Sequence, residues 1–277
     1  MITAVLSLGG IGLLSAVALG VAAKRFAVEV DPREMALFEL LPGVNCGACG
    51  FAGCSGYARA LVKGEVPPDL CPPGGAAVAG KLAQILGVTA TFSEPQVAVV
   101  FCQGDNRKAQ AKYRYLGLAD CVVAQRLADG PKACPGGCLG LGSCERACPF
   151  GAIEMTAEGL AVISRERCTG CRKCVAVCPR QVIRMVPLSS PVQVLCNSHD
   201  PGAMVRKYCT IGCIACQICV KTAPEAYRVQ ERLATVIAGQ YEEALQAVPK
   251  CPTHCIRDLA SSYPEGSRFV PSRRDAA

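Results

Sequence analysis

Cys168, Cys171, Cys174 and Cys178, the last followed by Pro179, stand at C-x2-C-x2-C-x3-C-P spacing. Thiolates at this spacing wrap a [4Fe–4S] cube: the first three hold three corners, and the fourth crosses to a second cube. Zinc is the rival for any single C-x2-C. Zinc sites, however, are built from separated ligand pairs rather than from three cysteines in C-x2-C-x2-C. The crossover implies a partner run. Aligned on Cys148-Pro149, Cys138, Cys144 and Cys148 take the first, third and fourth places, and Leu141 stands where the second ligand belongs. One cube is therefore expected on Cys148, Cys168, Cys171 and Cys174. The other has Cys138, Cys144, Cys178 and a replacement for position 141, for which Cys134 is nearest. A three-iron cluster or an outside ligand are the alternatives.

Two further groups carry the same chemistry. Cys46, Cys49, Cys54 and Cys71 are spaced x2, x4 and x16, with Gly47, Gly50 and Gly53 allowing tight turns around a cube. Residues 192–255 repeat the later layout in degraded form. Cys213, Cys216 and Cys219 begin a run whose fourth place is Ala223, before Pro224. Counting back from Cys251-Pro252 puts Tyr241, Ala244 and Ala247 where three cysteines would sit. By the crossover rule, positions 223, 241, 244 and 247 form one ligand set, and all four are lost. The complementary set, Cys213, Cys216, Cys219 and Cys251, is intact, so this half is expected to hold one cube.

Four [4Fe–4S] clusters follow, and Cys102, Cys121, Cys196, Cys209 and Cys255 remain over. VQVLC, ending at Cys196, echoes VAVVFC, ending at Cys102, and Cys209-x3-Cys213 echoes Cys134-x3-Cys138. The remaining cysteines are either small buried hydrophobes or, for Cys102, Cys196 and Cys209, part of a fifth cluster spanning the two repeats. His199 and His254 read as loop residues.

The elements that must position these groups are legible in part. Residues 2–23 carry no charge and are long enough for one membrane-spanning helix. A signal peptide would have a basic segment before the apolar run, which is missing here. Lys24 and Arg25 follow, so the positive-inside rule places the rest of the chain in the cytoplasm. Gly12, Ala16 and Gly20 put small residues on one helix face. SGYARALVKGE reads as a helix ending near Gly64, and GGAAVAGKLAQILG as one before Gly87. QVAVVFC reads as a strand, Cys121 falls on a helix, and FGAI and QVIRMV fit short strands. The expected division is an anchor (1–25), a four-cysteine unit (35–90), a linking segment (91–133), a two-cluster unit (134–190), a one-cluster unit (191–259) and a disordered tail (260–277). The fold class is α+β.

Composition bounds the function. Among 277 residues there are 21 cysteines, an odd number in metal-site spacings, which argues against a disulfide scaffold. The net charge is +7, yet there is no Lys/Arg block and aromatics are only 5%, so nucleic acid is not the expected partner. A basic face for docking an acidic redox protein fits better. No GxGxxG loop follows a strand, and no residue set suggests hydride or acid–base chemistry.

With anchor, four-cysteine unit and paired cubane runs in this order, the chain resembles the membrane-anchored iron–sulfur B subunits of the Rnf electron-transport complexes over nearly its whole length. The later units are similar to bacterial ferredoxins. The resemblance implies an electron-carrying subunit of an ion-translocating ferredoxin:NAD oxidoreductase in the bacterial cell membrane. Its implied partners are the other Rnf subunits and soluble ferredoxin, and NAD, flavin and ion movement belong to those subunits. The chain departs from the family pattern at segment 91–133, at Leu141 and in the lost cluster after residue 205. Structural cubanes, or a dedicated donor to another enzyme or redox regulator, are the competing functions.

Overall fold

The first helix, α1 (Ile2–Arg25), is built from helix-favouring Ala and Leu and closes on Lys24 and Arg25, whose charges suit the negative end of its dipole. Its 24 residues span about 36 Å, enough to cross the roughly 30 Å apolar layer of a bilayer. Leu8, Leu13, Leu14 and Leu19 all face outward with nothing covering them. The computed structural model describes residues 2–26, 31–89 and 94–261. The tail expected over 260–277 falls outside the described residues from 262 onward.

A small helical unit follows. Its α2 (Pro32–Leu40) starts on Asp31, whose carboxylate accepts from Arg33 N at 2.8 Å, with Pro32 at the first turn. Next come α3 (Cys54–Val62) and α4 (Gly75–Leu86), the latter ended by Gly87 in the left-handed conformation. The three helices close over Leu37, Leu41, Tyr57, Leu61 and Leu82. Both helices expected here are present.

Two units of similar design make up the rest. The first runs β1 (Gln96–Val100), α5 (Cys121–Arg126), α6 (Ser143–Ala147), β2 (Ile153–Met155), β3 (Ala161–Ile163), α7 (Lys173–Val177) and β4 (Ile183–Pro187). The second runs β5 (Val192–Val194), α8 (Gly202–Tyr208), α9 (Ile218–Thr222), β6 (Tyr227–Gln230), β7 (Leu233–Val236), α10 (Tyr241–Ala247) and β8 (Ile256–Asp258). In each unit the first and last strands pair antiparallel, Val97 opposite Val186 and Gln193 opposite Arg257, and the inner strands form a hairpin. The segment 91–133 is therefore more than a link. Its strand β1 is half of the first unit's outer sheet, because the apolar run Val97–Val100 needs a partner strand and finds one in β4.

The two units meet along one seam. Val97, Val99 and Val186 pack with Leu195. Gln103 Nε2 donates to His254 O at 3.2 Å, and Gln103 Oε1 accepts from Arg257 Nε at 3.1 Å. Gln103 is 3% exposed, so these bonds satisfy a buried amide across the boundary.

Candidate metal centres

In the helical unit, Cys46, Cys49 and Cys54 all lie near enough to act on the Cys71 thiol, which burial pushes up to about 11. The loop bends where glycine is required. Gly47, Gly50 and Gly53 have φ of 74°, 88° and 96°. Asn45 Oδ1 accepts from Cys54 N at 2.8 Å and ties the two ends of the loop together. Tyr57, 1% exposed, fixes the far side. Its hydroxyl donates to Pro67 O at 2.9 Å and accepts from Leu70 N at 3.3 Å, which holds the stretch leading to Cys71.

In the first strand-containing unit, Cys148, Cys168, Cys171 and Cys174 line one space of about 310 Å³. Ala98 N, from β1, donates to Cys168 Sγ at 3.4 Å. This set adjoins the previous one. Cys46 lies close enough to act on Cys171. A β-carbon on neighbouring Gly170 would sit 2.7 Å from Gln96 O and 3.6 Å from Pro72 Cβ.

A second space in that unit, about 370 Å³, is lined by Cys138, Cys144, Cys178 and Cys121. Cys134, the sequence-nearest replacement for position 141, is not among its lining residues. The reason is local. Ser143 Oγ accepts from Cys121 N at 2.8 Å and donates to Asp120 Oδ2 at 3.0 Å, while Arg146 Nη2 donates to Ala119 O at 2.6 Å. The start of α5 is thus held against α6 beside Cys144. Burial pushes the Cys144 thiol up, with Cys138, Cys121 and Cys178 adding to it. Spacing alone leaves Cys121 unassigned, because its tie to Ser143 spans 22 residues and obeys no ligand pattern. One signal does exist in the sequence: among the first repeat's cysteines outside the cubane runs, Cys102 and Cys134 have counterparts in Cys196 and Cys209, and Cys121 has none.

In the second unit, Cys213, Cys216, Cys219 and Cys251 line a space of about 340 Å³, and Cys255 joins them. The Cys255 and Cys251 sulfurs are 3.6 Å apart. Hydrogen bonding with the neighbouring Cys255 sulfur lowers Cys251 to about 5 and Cys213 to about 6. Ala223, Ala244 and Ala247, three of the four positions where no ligand is expected, are buried in that unit's apolar core.

The donor sets fit cubanes. Among the described residues, no group of three or more His, Cys, Asp or Glu is gathered closely enough to hold a single ion. A tetrahedral zinc, with Zn–S bonds of about 2.3 Å, would demand such a gathering. Four sulfurs spread around one space suit a multi-iron cage instead.

Three family models match the chain: "Putative Fe-S cluster" over residues 41–73, "4Fe-4S dicluster domain" over 135–185, and "4Fe-4S single cluster domain of Ferredoxin I" over 210–258. Among curated proteins, the chain is similar to the B subunit of the proton-translocating ferredoxin:NAD(+) oxidoreductase complex of Clostridium ljungdahlii, at 46% identity over 91% of this chain and 90% of that protein. It is 40% identical to the B subunit of the ion-translocating oxidoreductase complex of Methanosarcina acetivorans, over 92% of this chain and 97% of that one. It is likewise 40% identical to the B subunit of the Na(+)-translocating ferredoxin:NAD(+) oxidoreductase complex of Acetobacterium woodii, over 90% of this chain and 75% of the relative.

Proposed function

The chain belongs to the B-subunit family of ion-translocating (Rnf-type) oxidoreductase complexes, and from that premise we propose that it takes electrons from reduced ferredoxin and carries them toward the membrane partners. It is an iron–sulfur electron-transfer subunit with several [4Fe–4S] clusters and a membrane-associated N-terminal helix. Cubanes are held by Cys46, Cys49, Cys54 and Cys71; by Cys148, Cys168, Cys171 and Cys174; by Cys121, Cys138, Cys144 and Cys178; and by Cys213, Cys216, Cys219 and Cys251. Each cube, when bound, supplies one-electron redox chemistry. The residues do the rest. Thiolates fix position, amides such as Ala98 N point at sulfur and favour added negative charge, and apolar side chains exclude water. Lys24 and Arg25 keep the globular part on the cytoplasmic side of the bacterial cell membrane.

The supporting observation is adjacency. Gly170, next to Cys171, lies against Pro72, next to Cys71, and Cys144 and Cys174 pack in one core, so three of the ligand sets are neighbours, beginning with the unit that follows α1 in the chain. The test is anaerobic redox titration of the whole complex followed by EPR, with reduced ferredoxin as donor. Reversible low-potential signals that ferredoxin reduces are expected. Clusters that never cycle would make them structural staples, and cycling without reduction by ferredoxin would assign a different donor.

A further inference from the structure

Cys102, Cys134, Cys196 and Cys209 line one space of about 370 Å³ between the two strand-containing units. No family model assigns them together, since Cys102 and Cys196 lie outside the matched segments and Cys134 and Cys209 each fall one residue short. The space equals that of the Cys121–Cys178 set and slightly exceeds the other two. Each repeat supplies two of the four ligands from equivalent places. Cys102 and Cys196 follow β1 and β5, and Cys134 and Cys209 each stand four residues before the first cysteine of a cubane run.

The sulfurs are surrounded by donors. Gly104 N and Cys138 N donate to Cys102 Sγ at 3.3 and 3.4 Å. Amides of Gly136, of Cys213 and Ser198, and of Ile211 and Gly212 hydrogen-bond to Cys134, Cys196 and Cys209 respectively. The floor is glycine. A β-carbon on Gly136 would lie 2.2 Å from Asn197 O, and one on Gly212 would lie 2.5 Å from Val205 Cγ1. At Gly104 it would lie 3.5 and 3.6 Å from the sulfurs of Cys209 and Cys102.

Two buried cations flank the space. Lys132, 3% exposed, donates to Gly104 O and acts on Cys209. Arg180, 8% exposed, donates to Cys134 O at 2.6 Å and Gly137 O at 3.0 Å. Buried charge is costly without an opposite partner nearby. An anionic cluster on four thiolates supplies one.

We propose that Cys102, Cys134, Cys196 and Cys209 bind a fifth [4Fe–4S] cluster, completing the row between the two ferredoxin-like units. This rests on the reading that the other sets hold cubanes. The site adjoins both neighbours. Cys138 of the first unit donates its amide to Cys102, and Cys213 of the second donates its amide to Cys196. An electron crossing it leaves the neighbour on one side and reduces the neighbour on the other, with no bond made or broken. The site thereby joins the Cys213–Cys251 centre to the other three.

The test is iron and sulfide content of the anaerobically prepared full chain in detergent, with EPR spin counting after complete reduction. The expected wild-type content is about 20 iron atoms, against about 16 in Cys196→Ser/Cys209→Ser, at four per cube. The signals of the other centres report whether the variant is folded. A wild-type content near 16 overturns the fifth site, whether or not the variant folds. So does one zinc per chain beside about 16 irons. A content far below 16 overturns the underlying reading instead.

Discussion

Ser143 fixes the backbone at Cys121: its hydroxyl accepts that residue's amide and donates to Asp120, the cap of α5. If Cys121 completes the cube of Cys138, Cys144 and Cys178, Cys121→Ser converts that centre to a three-iron form or loses it, for about one to four irons per chain. Cys134→Ser leaves the same centre's EPR signal intact, and the two spectra side by side decide which cysteine serves. This is also where sequence reading reaches its limit. Local runs such as Cys168–Cys178 carry their geometry in their spacing, so they are readable without coordinates. Cys134 and Cys121 depend on chain paths through a three-dimensional loop. Cys134, only four residues from Cys138, lines the space on the other face of the same segment.

At the level of elements, short helices and hairpins hold the sulfurs, and few of them would persist alone. Helices α6, α7 and α9 have five residues each, well below what is stable in isolation, so tertiary contacts hold them. The helical unit is instead braced by Tyr57. Tyr57→Phe keeps the ring but leaves the Pro67 carbonyl and Leu70 amide without their shared hydroxyl. A loss of about 1–3 kcal/mol is expected, read as a lower Tm of the loaded protein. Cluster absorption of this unit should then bleach earlier on heating. The helices α3 and α4 are legible from their Gly boundaries, at Gly64 and Gly87. The pairing of β1 with β4 is not, because more than eighty residues separate Val100 from its partner Ile183 and no turn signal joins the two strands.

For the whole molecule, the net charge of +7 predicts how it meets its donor. With an acidic ferredoxin, the second-order rate of reduction should fall by about an order of magnitude as ionic strength rises from low to high. Stopped-flow measurement over a salt series checks it, and a flat dependence would remove charge steering from the account. The architecture also orders its own assembly. The cysteines of the helical unit lie within residues 46–71, so that ligand set is complete once a short stretch has emerged from the ribosome. The cavity between the repeats waits for Cys209, more than a hundred residues after Cys102, and for both units to dock. Loop closure over that distance is slow and depends on earlier folding. Iron loading and chain folding are therefore expected to be coupled, with the seam between the repeats the last to close.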